Sequence, residues 1–249
     1  LMMQRETLTE HWDIDEIHRY PADRFGPLAG GGADPAHIAA LAARLLEAEN
    51  PILITGYGGT DVATAHKIIE LGEFAGVPVY EANSKNNVSY ESPCFAGFSA
   101  DDALPDVDVG MLVDVEVPWF PAEVQPSEKS FWAHIDVDVL KVGSPMWTFP
   151  GHLRMQGNSG RILDQLLTEL KAKATPRFKA AAAARLDRLK AVREQRKARA
   201  AKLAADKGKP GAINPHYLMA ELAKVLDDED IIFNEAVTNG PAVLMQIPR

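Results

Sequence analysis

An unbroken apolar run, Ile52, Leu53 and Ile54, stands out from the mixed pattern around it. Such a run is what a strand buried on both faces of a parallel sheet requires. Gly56, Gly58 and Gly59 come next and strip Cβ atoms from the turn, so backbone N–H groups there can face a ligand closely. Thr60 and Asp61 supply N-cap chemistry, and Val62, Ala65, Ile68, Ile69, Gly72 and Ala75 fall on one helical stripe. The pattern predicts strand, glycine turn and helix between Asn50 and Ala75, and a helix N-terminus behind such a turn suits an anionic ligand.

The rest of the chain repeats this alternation. Asp34 and Pro35 are placed as N-cap and first helical residue, with Ile38, Leu41, Leu45 and Leu46 on one face. Gly76 closes the second helix, and Val77–Glu81, Asp106–Glu116, Phe131–Asp138 and a short stretch from His152 read as further strands. Residues 83–105 are polar and rich in turn formers and read as loop. Asn158 or Ser159 caps a helix carrying Ile162, Leu163, Leu166, Leu167 and Leu170. Strands alternating with helices predict an α/β fold with a doubly wound parallel sheet over residues 35–172, preceded by a linker, 1–34. Ligands of such sheets lie outside the carboxyl ends of the strands.

Charge sets the C-terminal third apart. Between Lys171 and Lys209 there are 14 Lys or Arg against 3 acids, a local charge of +11, in a chain whose net charge is −9. This alanine-rich stretch, 173–212, has few large apolar residues and reads as a basic helical linker exposed to solvent. A nucleic-acid arm is the sharper alternative, but no aromatic or groove-reading motif accompanies it. Residues 213–249 start a second α/β unit: Asn214 and Pro215 open a helix with Leu218, Leu222, Val225 and Leu226 as its stripe, and the strand IIFNEA leads to a polar turn and another helix.

Composition narrows the rest. The 46% hydrophobic content predicts a globular protein, and no apolar run approaches the ~18 residues needed to span a membrane. The single cysteine, Cys94, fits a reducing cytoplasm. His11, His18, His37, His66, His134, His152 and His216 show no metal spacing, Ser84 and Ser99 lack a nucleophile-elbow setting, and Trp119, Phe120, Trp132 and Trp147 read as core or interface anchors. The glycine turn matches G-x-G-x-x-G only in part, because Asp61 holds the third glycine's place. With Glu81 near the spacing of a ribose-binding acid, the local pattern leaves two readings open: a nucleotide site, as in an NAD-binding oxidoreductase, or glycines that only make a tight turn.

Five stretches, in order, resemble the thiamine diphosphate-dependent enzymes of the acetolactate synthase, oxalyl-CoA decarboxylase and benzoylformate decarboxylase group: LLEAENPILITGYGG, FAGVPVYEAN, ALPDVDVGMLVDVEVPW, FWAHIDVDVLKVG and IIFNEAVTN. The resemblance implies that residues 35–172 are the Rossmann-like central domain and 213–249 the incomplete beginning of the diphosphate-binding domain. The parent enzyme would use thiamine diphosphate and Mg2+ on a 2-oxo acid, as a homo-oligomer. This chain alone, which begins at Leu1, is then expected to be a fragment without catalytic residues or activity. Glu235, Thr238 and Asn239 are the implied diphosphate contacts; Val237 stands where benzoylformate decarboxylases carry Thr. Gly56, Gly58, Gly59, Asp114 and Asp136 would line a central-domain site that holds FAD in some relatives, ADP in others and nothing in several; DVEVPWF departs from the stretch usual in FAD-binding relatives.

Overall fold

Helix starts in this chain are written in its side chains. The computed structural model describes residues 4–16, 20–21, 23–26, 29–82, 87–141, 143, 149–227 and 229–248; His18, Ser84 and Trp147 lie outside the described residues. Two units are distinguished, Leu1–Gly30 and Gly31–Arg249. The first contains a short helix, α1 (Arg5–Thr9), within the stretch read as linker, and a 3-10 turn, Ile14–Glu16.

In the second unit α2 (Pro35–Glu47) begins where Asp34 accepts from the Ala36 N–H at 2.8 Å, a cap worth about 1 kcal/mol. β1 (Pro51–Thr55) is buried throughout, and α3 (Val62–Ala75) starts at Asp61 and stops at Gly76, whose φ of 60° only glycine adopts cheaply. Val62, expected on the stripe, is exposed; the buried set is Thr64, Ile68, Leu71, Gly72 and Ala75. Next come β2 (Val79–Glu81), β3 (Phe95–Gly97), β4 (Val109–Val113), β5 (Phe131–Asp136) and β6 (Leu153–Gln156), then α4 (Ser159–Lys173), where Asn158 accepts from Arg161 N–H. β3 lies inside the stretch expected to be loop. It is three residues long, too short for any periodicity to mark it.

The six strands are parallel, in the order β3-β2-β1-β4-β5-β6, so the sheet is wound outward in both directions from β1. Leu53, Val79, Met111, Ala133, Ile135 and Met155 face α2, α3 and α4 in one core. Ile52, Ile54, Leu112 and Trp132 face the other way, where loop residues Leu104, Val115, Trp119 and Phe149 cover them. The connections on that side are therefore loops and a 3-10 turn, with aromatic side chains doing the covering that helices do on the first side.

The basic stretch forms α5 (Pro176–Ala204), which is docked along one side. Phe178, Ala182 and Arg185 are buried, Arg193 and Lys197 both pair with Glu91, and the Arg196 guanidinium lies 5.3 Å from the Phe95 ring centroid while donating to the Phe95 carbonyl. A purely solvated linker is thus corrected: arginines stand where a docked helix would otherwise place apolar residues, and they reach backbone carbonyls and a carboxylate. The Arg196 donor also covers one carbonyl of the edge strand β3, that of Phe95.

A tight hairpin, β7 (Gly208–Lys209) and β8 (Ala212–Ile213), turns at Pro210–Gly211, with φ 78° at Gly211. Then come α6 (Pro215–Ala223) and α7 (Gly240–Gln246). Two expectations fail here. No residue of α6 is buried, and Leu218, Leu222 and Val225 are 43%, 40% and 75% exposed. IIFNEA makes no strand: Ile231 and Phe233 are 82% and 90% exposed. A strand exists only against a neighbour, and among the described residues nothing pairs with this one.

Candidate functional site

Winding outward from β1 leaves a gap where β1 and β4 end, and connections leave in opposite directions. A crevice of about 320 Å³ lies there, lined among others by Tyr57, Gly58, Asp61, Asp114, Asp136 and Lys141. A second crevice, about 260 Å³, lies among Pro51, Ile52, Pro78 and Arg185 at the amino ends of the strands. The Arg185 donors are spent there on helix carbonyls, so the first crevice is the candidate.

Every backbone N–H from Gly56 to Thr60 already has an acceptor inside the protein. Gly56 and Tyr57 donate to the Asp114 carbonyl at 3.2 and 2.8 Å, Gly58 to Thr55 Oγ1 at 3.0 Å, Gly59 to Asn87 Oδ1 at 2.9 Å and Thr60 to the Tyr57 carbonyl at 2.9 Å. Asn87 also donates from Nδ2 to the Gly56 carbonyl at 3.1 Å, so one buried carboxamide spans the turn. The glycines have packing reasons of their own. A Cβ on Gly58 would lie 2.6 Å from Ile68 Cδ1, and one on Gly59 2.4 Å from the Asn87 Cα.

Asp61 accepts from the Ala63 N–H at 3.2 Å and from Thr64 Oγ1 at 2.8 Å, and the Thr64 hydroxyl, ahead of its backbone bonds, holds this carboxyl below its ordinary range. Asp114, at the end of β4, takes a left-handed backbone with φ 47°, which costs about 1 kcal/mol and is offset by the two N–H groups its carbonyl receives. Ser159 donates to Asp114 Oδ1 at 2.6 Å, joining β4 to the start of α4. Asp136 is buried and accepts from Asp138 N–H at 2.9 Å and from Lys141 Nζ at 2.6 Å.

The candidate nucleotide residues are therefore placed unequally. Gly58, Asp114 and Asp136 line one crevice; Gly56 and Gly59 stand in the turn beside it, and neither is among its lining. Glu81 is fully buried, accepting from the Val88 N–H at 3.0 Å and the Tyr90 hydroxyl at 3.2 Å; burial raises its pKa. It braces the loop after β2 and has no open face for a ribose. Nothing in the sequence marks Asn87, Lys141 and Ser159 as site residues, because they sit in unpatterned loops or at a helix start. Glu235, Thr238 and Asn239 are exposed in the segment leading to α7; Asn239 holds the N-cap position and makes no side-chain cap bond. Among the described residues no group of three or more His, Cys, Asp or Glu is placed to hold a metal, and no helix is long and apolar enough to cross a membrane.

Two titrations of opposite sign meet at this end of the sheet. Burial, opposed by the Ser159 bond, raises Asp114 from 3.8 to about 6. Its stabilising proton is fully held below pH 3.8, and the contribution is lost as pH rises through 6. Burial also lowers His134 from 6.5 to about 4, with Nε2 bonded to the Pro150 carbonyl at 2.8 Å and Nδ1 3.3 Å from Arg154 Nη1. That contribution is present above pH 6.5 and lost as pH falls through 4. Each is worth at most about 3 kcal/mol, less where water reaches the group. Stability is expected to vary little between pH 4 and 6.5, whereas Asp114→Asn unmasks a slope that rises with pH. Urea titrations across this range test it; parallel curves for the two proteins would mean that Asp114 is hydrated.

No family model matches the chain, and no curated protein matches it. Two solved structures are similar to part of it. One is a protein isolated from Mycobacterium smegmatis and provisionally named a thiamin diphosphate-dependent enzyme, 23% identical over 59% of this chain, with a TM-score of 0.47. The other is benzoylformate decarboxylase from Polynucleobacter necessarius, 17% identical over 65% of this chain, with a TM-score of 0.46. The match covers 30% of each of those chains.

Proposed function

We propose that this chain is a piece of a thiamine diphosphate-dependent 2-oxo-acid enzyme, acetolactate synthase-like in its decarboxylation and carboligation. Residues 35–172 are its central domain, 173–212 the linker and 213–249 the beginning of its diphosphate-binding domain. One observation carries the reading: an apolar segment with Ile231 and Phe233 82% and 90% exposed leads directly into the polar Thr238–Asn239 turn and α7. The segment is unpaired among the described residues, and we read it as one that becomes a strand ahead of this turn and helix once the rest of the diphosphate-binding domain is present.

The residues at this turn fit a diphosphate in chemistry. Thr238 offers a hydroxyl, Asn239 an amide that is not spent on capping, and Val237 its backbone N–H. The Glu235 carboxylate has the wrong sign, so its share is the backbone N–H. When bound, the cofactor supplies the electron sink for loss of CO2 from the 2-oxo acid. This chain's part is to hold the diphosphate through uncharged donors and so orient the reacting ring, while the Mg2+ that accompanies it would be held by other residues of the parent enzyme. The enzyme is proposed to work as a cytoplasmic homo-oligomer, its reaction centre completed by other domains.

The test uses the polypeptide with its full coding sequence. Calorimetric titration with thiamine diphosphate and Mg2+ is expected to show binding that Thr238→Val and Asn239→Ala each weaken by about tenfold. Decarboxylation of pyruvate at saturating cofactor should change little in both variants. Undiminished affinity in the two variants sinks the assignment of this turn.

A further inference from the structure

The order β3-β2-β1-β4-β5-β6 is the one in which doubly wound sheets hold a dinucleotide at the switch point, and the fold therefore implies such a ligand here. The residues present do not fit it. We infer that this chain closes its own nucleotide position: the Asn87 carboxamide occupies the glycine turn and the Asp61 carboxylate caps α3 where a diphosphate would lie.

Affinity for a diphosphate at this place has two sources in such sheets, open N–H groups in the turn and the positive end of the following helix. Both are spent. Gly59 gives its N–H to Asn87 Oδ1 at 2.9 Å, Gly58 gives its own to Thr55 Oγ1 at 3.0 Å, and Gly56 and Tyr57 turn theirs to the Asp114 carbonyl. At the helix, Asp61 takes the Ala63 N–H and the Thr64 hydroxyl. The start of α4 offers no substitute, because Asn158 accepts from the Arg161 N–H and the Ser159 hydroxyl is directed at Asp114.

Charge points the same way. Asp61, Asp114 and Asp136 line the crevice, and Lys141 is committed to Asp136 at 2.6 Å. An incoming diphosphate meets carboxylates with no uncommitted cation among these residues. The glycines record the same substitution of protein for ligand: a Cβ on Gly59 would strike the Asn87 Cα at 2.4 Å, so this glycine admits the loop around Asn87. Glu81, the acid at ribose spacing, is buried beneath that loop on Val88 and Tyr90.

The inference stands apart from the thiamine diphosphate reading, which rests on Thr238 and Asn239. Calorimetry and thermal unfolding of the chain with ADP, NADH or FAD, each at about 1 mM, are expected to show no saturable heat and a Tm change below about 1 °C. A ligand with a Kd of about 10 μM would move the Tm by several degrees at that concentration. If binding is seen, Val137→Trp locates it, since Val137 lines the crevice and is 68% exposed. Binding abolished by Val137→Trp overturns the inference; binding that survives lies elsewhere and leaves the crevice closed, as inferred. Asp61→Gly completes the third glycine of the fingerprint and is expected to remain without ADP binding, because Asn87 still fills the turn. Uptake of ADP by that single variant would overturn the role given to Asn87.

Discussion

Arg185→Met is expected to lose about 3–5 kcal/mol of stability in urea unfolding, enough to loosen α5 from the sheet domain. Arg185 is 7% exposed, and its donors go to main-chain carbonyls: Nε to Gly76 at 3.2 Å, Nη1 to Ala48 at 2.9 Å and Nη2 to Ala75 at 2.8 Å. Those carbonyls close α2 and α3, where unpaired oxygens carry the negative end of the helix dipole. Burial lowers the pKa of this guanidinium, an effect opposed by the nearby Asp108 charge. Methionine matches much of the volume and leaves the carbonyls buried without donors. Lysine keeps the charge but concentrates its donors at one point, so Arg185→Lys should recover only part of the loss. The contact is close at the backbone too, since a Cβ on Gly76 would lie 2.2 Å from the Ala182 carbonyl oxygen. Limited trypsin digestion gives an independent readout: cleavage at Arg188 and Lys190 should accelerate in Arg185→Met. A loss under about 1 kcal/mol, with unchanged cleavage, would show that the clamp is incidental.

Gly110→Val is expected to cost more than about 4 kcal/mol or to prevent folding. Gly110 is paired with Trp132 across β4 and β5, and any Cβ there would lie 2.2 Å from Trp132 Cε3 and Cζ3. The ring has nowhere to go. Trp132 is fully buried, donates from Nε1 to Ser130 Oγ at 2.7 Å and packs on Trp119 with ring centroids 5.0 Å apart. A double-mutant cycle separates steric conflict from a general intolerance of side chains at this strand position. Trp132→Ala is costly alone, but Gly110→Val should cost little in its presence, giving a coupling energy of at least about 3 kcal/mol. Additive effects in urea titrations would mean that the ring does not hold the glycine in place.

Both predictions rest on side chains whose partners lie far along the chain, and this marks how much could be read beforehand. Local chemistry was legible wherever it acts over a few residues. Asp34–Pro35, Asp61, Asn158 and Asn214–Pro215 start helices, and Gly76 ends one in the left-handed region. The apolar runs at Ile52–Ile54 and Met111–Val113 lie in strands buried throughout. β3 was hidden because three residues on a sheet edge carry no period. The apolar stripe of α6 and the IIFNEA run were legible as patterns, yet α6 buries none of its residues and IIFNEA pairs with no strand among the described residues, since burial and pairing need a second surface.

The candidate site divides in the same manner. The sequence by itself determined the strands and helices of the sheet domain apart from β3, the helix caps, the glycine turn and the acids at the ends of β4 and β5, because period, caps and turn chemistry act between near neighbours. Only the tertiary structure decided what those glycines serve. Gly59 meets Asn87, which is 28 residues away, and the basic helix meets the carbonyl ends of α2 and α3 through Arg185, 109 to 137 residues away. A hydrogen bond at such separation leaves no trace in local pattern, and here such bonds determine whether a turn built like a phosphate cradle has any donor left to offer.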